Sequence, residues 1–223
     1  MKNNSLKKSG GLTREQQREA GRLFGKQVSN EKALLLFIVT LLTCAMPMLV
    51  GRRLWNAIPE IVETGLIGAE GKDDSMPRSV LVYGIPGLMC VLNTICHGQL
   101  WLHQKAEKLP PASSRLIGRW GFPVLSAFFA SGCAFQAAGE KMGAFFITVT
   151  ALALILLMCG GRFFDRTESF SLREGRIIGV CWMAAGLLLM FFVMNSGTVP
   201  AYSAIVIVPL LFLPFICAKI AKR

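Results

Sequence analysis

ALLLFIVTLLTCAMPMLVG, residues 33–51, is the stretch whose reading decides the fold, because it contains no charged side chain. The hydrocarbon core of a bilayer is ~30 Å thick, and ~20 mostly apolar residues in a helix cross it. Inside lipid a bare backbone N–H or C=O finds no partner, so a segment of this kind satisfies its own backbone as a helix. A strand of a membrane barrel would alternate polar and apolar residues at period two. This run is continuously apolar, which excludes the barrel.

Five further runs repeat the pattern, at residues 79–101, 120–138, 143–161, 177–195 and 199–218. The third is diluted by Ser126, Ser131, Gly132 and Gln136. Its small residues Ala127, Ala130, Ser131, Ala134 and Ala138 suit close packing against neighbouring helices. Composition agrees with the pattern. The 223 residues are 53% hydrophobic and only 17% charged, against about 25% charged in a soluble domain. The sequence predicts an all-α, polytopic transmembrane helix bundle of about six spans. It divides into a basic tail (1–32), a two-span module (33–103) with a structured outer loop (52–78), and four further spans (104–223).

Charge sets the orientation. Nineteen of the 24 Lys and Arg residues fall on one side of a six-span model, in the tail, in the loops around Lys105–Arg119 and Arg162–Arg176, and at Lys219, Lys222 and Arg223. The other side keeps Arg52, Arg53, Lys72, Arg78 and Lys141. Basic residues favour the cytoplasmic side, so both termini are expected in the cytoplasm of a multi-pass cell-membrane protein. Five or seven spans would break the asymmetry. The net charge of +11 is thereby explained by topology and calls for no nucleic acid. The tail shows no cleavage pattern, so the first span is expected to remain as an anchor. All seven cysteines lie inside the runs and none forms a CxxC pair, which reads as apolar packing rather than a disulfide framework.

The tail has a signal of its own. Thr13 and Gln16 have capping-box spacing, and Arg14, Arg18, Arg22 and Lys26 recur at i,i+4 beside Ala20, Leu23, Phe24 and Val28. A basic amphipathic helix on an anionic leaflet and a solvated tail that only sets topology both fit.

The loop RRLWNAIPEIVETGLIGAEGKDDSMPR, residues 52–78, is the one long outer connection. Trp55 suits an interface anchor. Ile58, Ile61 and Leu66 are expected to fold the loop against the bundle, leaving Asp73 and Asp74 presented outward. A folded cap that binds a ligand and a structured connector that binds none both remain open. Adjacent carboxylates near Gly71 would attract a hard cation, but their spacing matches no calcium loop, so a polar turn is the expectation and no metal is assigned. The candidate binding residues are Trp55, Asn56, Pro59, Asp73 and Asp74.

Catalytic signatures are absent: there is no GxSxG, HExxH or P-loop lysine. His97 and His103 are six apart, a spacing that places them on different helix faces, and they read as interface residues. No ionisable residue stands near the middle of any run, which argues against a proton relay. Asn93, Gln136, Thr148, Thr150, Thr40 and Thr43 suit interhelical hydrogen bonds. Gly84-Ile85-Pro86-Gly87 reads as a kink. No catalytic residue and no cofactor is expected.

Trp55-Asn56-Ala57-Ile58-Pro59 directly after a first span, followed by Gly71, Asp73-Asp74 and a basic residue leading into a second span, resembles an uncharacterised bacterial membrane-protein family. That family's two-helix module also forms the N-terminal part of SdpI-type immunity proteins. The resemblance covers residues 34–103. Arg78 stands where the family has Lys, and Glu63 and Gly65 stand where it has a second Pro and a nearby His. Residues 166–171 with Glu174 occupy the place of a later Thr-Pro-Trp-containing motif. The resemblance implies a non-enzymatic bacterial membrane protein engaged in peptide immunity or envelope sensing through its outer loop. Its implied partners are the lipid bilayer, a cationic peptide and a cytoplasmic regulator. A small permease or transporter subunit is the alternative reading.

Overall fold

The computed structural model of the chain describes residues 30–67, 73–106, 112–163 and 172–220. The tail helix and the motif region at 166–171 lie outside the described residues.

The first apolar run forms α1 (Asn30–Ala45) and α2 (Pro47–Arg53), with the break at Met46. Pro47 supplies no N–H and cannot continue the α1 ladder. One turn before the break, the Ser126 hydroxyl donates to the Cys44 carbonyl at 2.7 Å, a bond from the third pass of the chain. The second run opens with a π-helical turn (Val80–Gly84) and continues as α3 (Ile85–Lys105), with Pro86 in its first turn. The π turn ends at Gly84, the first residue of the stretch Gly84-Ile85-Pro86-Gly87, whose sequence suits a kink or a packing site. The third pass is α4 (Ala112–Leu125), a second π turn (Ser126–Ala130) and α5 (Ser131–Ala137). Pro123 inside α4 precedes that π turn, as expected where a backbone N–H is missing. Then come α6 (Ala144–Phe163), α7 (Leu172–Ser196) and α8 (Ala204–Ile220).

The chain runs the length of an all-α bundle six times, and side chains show which ends lie together. The Arg53 guanidinium donates to the Val193 carbonyl at 3.4 Å and sits over the Phe135 ring, 5.4 Å from its centroid. The ends of α2, α5 and α7 therefore meet at one end of the bundle. At the opposite end Arg176 pairs with Glu31 at 3.2 Å. Gly139 (φ +73°) closes α5, with the Glu140 N–H reaching back to the Phe135 carbonyl at 2.9 Å, a Schellman arrangement that needs the left-handed backbone.

Four helical stretches are long and apolar enough to cross a membrane: Asn30–Arg53, Val80–Lys105, Ala144–Phe163 and Arg173–Ser196. The sixth, Ala201–Cys217, is apolar but shorter. The third pass is not among the four. Its buried positions include Ser126, Ala127, Ala130, Ser131 and Ala134, small residues that suit close packing.

The tightest packing joins α6 and α7. A Cβ on Gly160 would lie 2.7 Å from the Gly179 carbonyl oxygen, and one on Gly186 would lie 2.9 Å from that of Ala153. Glycine is what lets these backbones approach. Around this seam Ala153, Leu157, Ile178, Ala185, Met190, Val193 and Met194 are completely buried, so the centre of the bundle is filled. The seven cysteines are free thiols. At the outer perimeter Ile205, Phe212 and Leu213 of α8 are exposed.

Candidate functional site

The loop between the first two passes is more ordered than a plain connector. It forms an antiparallel hairpin of β1 (Ile61–Ile67) and β2 (Asp73–Pro77), a strand pair that the all-α reading did not foresee. Ile61 faces Pro77, Val62 faces Met76 and Glu63 faces Ser75. The register then slips, so that Ile67 faces Asp73 and β1 carries two extra residues in a bulge. Ile58 and Val62 are buried in the bundle core. Ile61, expected to fold inward, is 66% exposed instead. The reason is strand geometry: neighbours on a strand point to opposite faces, so burying Val62 turns Ile61 outward. The Leu66 side chain lies outside the described residues.

Arg78 staples the base of the hairpin. Its Nη1 donates to the Trp55 carbonyl at 2.9 Å and to the Ile58 carbonyl at 3.1 Å, while its backbone N–H donates to the Glu60 carbonyl at 2.9 Å. Its guanidinium lies over the Trp55 ring, 4.2 Å from the centroid, and the other neighbour of that ring is Tyr83 at 5.9 Å. The residue that the sequence reading treated as a loop cation therefore fixes the strands to α3.

The candidate residues separate into two groups. Trp55, Asn56 and Pro59 sit at the base, with Asn56 and Pro59 exposed. The backbone of Asp73 and Asp74 opens β2 four residues before Pro77, about 13 Å along the strand. Their side chains, and Glu70 to Lys72, lie outside the described residues. Among the described residues no cluster of His, Cys, Asp or Glu could hold a metal ion.

Between the hairpin and the third pass lies a trough that sequence reasoning missed. One cavity of about 580 Å³ is walled by Pro59, Ile61, Val62 and Met76 on the hairpin side and by Phe129, Cys133 and Gln136 on the other. A neighbouring cavity of about 620 Å³ shares Phe129, Cys133 and Gln136 and extends to Gly139, Glu140 and Met142. The walls are mainly apolar; Glu63 lines the first cavity, and Glu140 and Lys141 line the second. The signal in the sequence was Gln136, a polar residue in an apolar run.

Arg53 was also missed. It was assigned to the outer loop, yet it is half-buried against Phe135 and α7. A Cβ on Gly197 (φ +75°) would collide with its guanidinium, so that turn both needs a left-handed backbone and leaves room for the cation.

A polar network links α1 and α3 in the interior. The Asn93 amide donates to Thr40 Oγ1 at 3.1 Å, Thr40 Oγ1 donates to the Phe37 carbonyl at 3.0 Å, and His97 Nε2 lies 3.1 Å from the same hydroxyl. The backbone of Arg119 hydrogen-bonds the imidazole too. Asn93 and Thr40 thus make the interhelical bonds expected of them. His97 joins α1 to α3 through the Thr40 hydroxyl. Near this end Arg115 is buried, and the burial pulls its pKa down from the ordinary arginine value. Compared with family models, curated proteins and solved structures, the chain matches none of them.

Proposed function

We propose that this chain is a six-span, non-enzymatic bacterial cell-membrane protein with cytoplasmic termini, and that its outer hairpin and the trough beside it receive a cationic, partly apolar peptide. The four long apolar helices are compatible with a multi-pass membrane protein. The observation that carries the finer reading is the trough itself, with mainly apolar walls, Glu63 lining one cavity and Glu140 with Lys141 lining the other, beside a hairpin stapled by Arg78. Apolar walls supply burial, and the carboxylates supply sign and orientation. The filled centre of the bundle supports reception over transport, because a carrier needs a polar cavity near the midplane. The resemblance of residues 34–103 to the module of SdpI-type immunity proteins points the same way. A cytoplasmic regulator would then meet the basic opposite end.

The test is peptide binding to the full chain in nanodiscs. An amphipathic peptide bearing lysines should bind, weaken as salt rises, and lose affinity to a Glu63→Gln/Glu140→Gln double variant. A neutral peptide of equal hydropathy should bind less. Equal binding of both peptides, or no effect of the double variant, refutes the proposal.

A further inference from the structure

A second pocket lies at the opposite end of the molecule, and nothing in the peptide reading uses it. It measures about 310 Å³ and is formed where α1, α3 and α4 converge; its walls include Leu34, Phe37, His97, Trp101 and Arg119. Leu34 and Trp101 are 60% and 43% exposed, so the pocket is bounded by the apolar perimeter of the bundle. Tryptophan at a helix end marks the depth of the lipid headgroups.

The charge at this place has one sign. No carboxylate lines the pocket, while Arg119 does. The Lys105 ammonium is held 3.8 Å from the centroid of the ring of Trp101, one of the wall residues. Glu31, beside Asn30 in the first turn of α1, is engaged by Arg176 at 3.2 Å. Above the pocket, Ile38 and Ile95 continue an exposed apolar surface along α1 and α3.

We propose that this pocket binds one anionic phospholipid, with the phosphodiester met by Arg119 and Lys105 and the acyl chains running along the exposed faces of α1 and α3. Two features select this occupant. A small soluble anion has no use for walls of Leu34, Phe37 and Trp101. A zwitterionic lipid brings a cation of its own toward Arg119 and Lys105, whereas an anionic headgroup does not. Basic pockets between helices at this depth are where such headgroups bind.

The test is native mass spectrometry of the detergent-purified full chain titrated with phosphatidylglycerol or phosphatidylcholine. The first phosphatidylglycerol should bind several-fold more tightly than phosphatidylcholine. Arg119→Gln should lower phosphatidylglycerol affinity about fivefold, the worth of one basic residue near an anionic headgroup, and lower phosphatidylcholine affinity less. Arg119→Lys should restore most of the loss, and Arg162→Gln should change nothing. Gly98 lines the pocket and has nothing within 4 Å of where its Cβ would be. Gly98→Leu should therefore fill the space and weaken both lipids while every charge remains. Equal affinity of the two lipids, or displacement of phosphatidylglycerol by millimolar inorganic phosphate, overturns the proposal. So does unchanged phosphatidylglycerol binding in Gly98→Leu, which decides the matter alone if Arg119→Gln does not fold.

Discussion

Removing the Arg78 side chain should undock the outer hairpin while leaving the bundle folded. The side chain contributes two charged donations from one nitrogen, to the carbonyls of Trp55 and Ile58, and a cation–π contact with Trp55. A hydrogen bond to a charged group contributes about 1.5–3 kcal/mol. Arg78 is half-buried, and one Nη1 serves both carbonyls, so the low end applies to the pair. The cation–π contact adds about 0.5–1 kcal/mol at a partly exposed site. Arg78→Ala should therefore cost docking about 2–2.5 kcal/mol, which raises the undocked population about 30- to 70-fold. The readout is amide hydrogen exchange of β1 and β2 in nanodiscs, where strand protection should fall by that factor. Protection in α6 and α7 should hold, since their packing does not involve the staple. Arg78→Lys keeps the cation but not the two-carbonyl reach, and should fall between. Strand protection unchanged in Arg78→Ala would show that burial of Ile58 and Val62 alone seats the hairpin, and would refute the staple.

Three further outcomes follow from the same geometry. Gly160→Ala gains about 1 kcal/mol of helix propensity but pushes a methyl against the Gly179 carbonyl and the Met183 N–H; overpacking at about 1–3 kcal/mol should win, lowering the melting temperature in detergent, while Gly98→Ala should not lower it. Cysteines placed at Asn56 and Ser196 should react with an impermeant thiol reagent from outside cells, and one at Ser113 should not, in a background without the native cysteines; outside labelling at Ser113 removes the six-span topology. Asp73→Asn/Asp74→Asn should insert and fold normally and reduce peptide-dependent activity; full activity in the double variant makes these aspartates turn residues only.

The helical passes were legible because lipid allows one solution for an apolar run, and that solution does not depend on which neighbour the run meets. The hairpin was less so. Ile61-Val62-Glu63 carries the alternation of a strand, but three residues between Pro59 and Gly65 are too few to separate a strand from a loop with apolar content. Its docking residue was misassigned for that reason: without the strand, nothing in the sequence says that Val62 faces inward and Ile61 outward. Trp55 and Arg78 are 23 positions apart, and their pairing depends on the return of β2. The trough and the pocket at the opposite end were not legible at all. Each gathers side chains from three elements, and no local periodicity encodes that convergence. Arg53 shows the same limit: its charge reads as solvent-facing, and only the meeting of α2, α5 and α7 explains why it is half-buried.

The third pass carries a more general point about how a bundle is written into sequence. Averaged over all of its residues it does not reach the hydropathy of a membrane span, and it is not among the four helices that do. Yet its composition is divided by face. Ser126, Ala127, Ala130, Ser131 and Ala134 are buried, and Ser126 and Ser131 spend their hydroxyls on the Cys44 carbonyl and the Met194 sulfur. The large apolar residues it turns outward are Leu116, Ile117, Leu125 and Phe129, about half exposed or more. A helix packed chiefly against α1, α2 and α3 needs apolar residues only where it faces outward. The enclosed side is free to carry small residues that admit close approach and hydroxyls that satisfy broken backbone, such as the carbonyl left before Pro47. Lower mean hydropathy in this pass is then compatible with its packed position in the bundle.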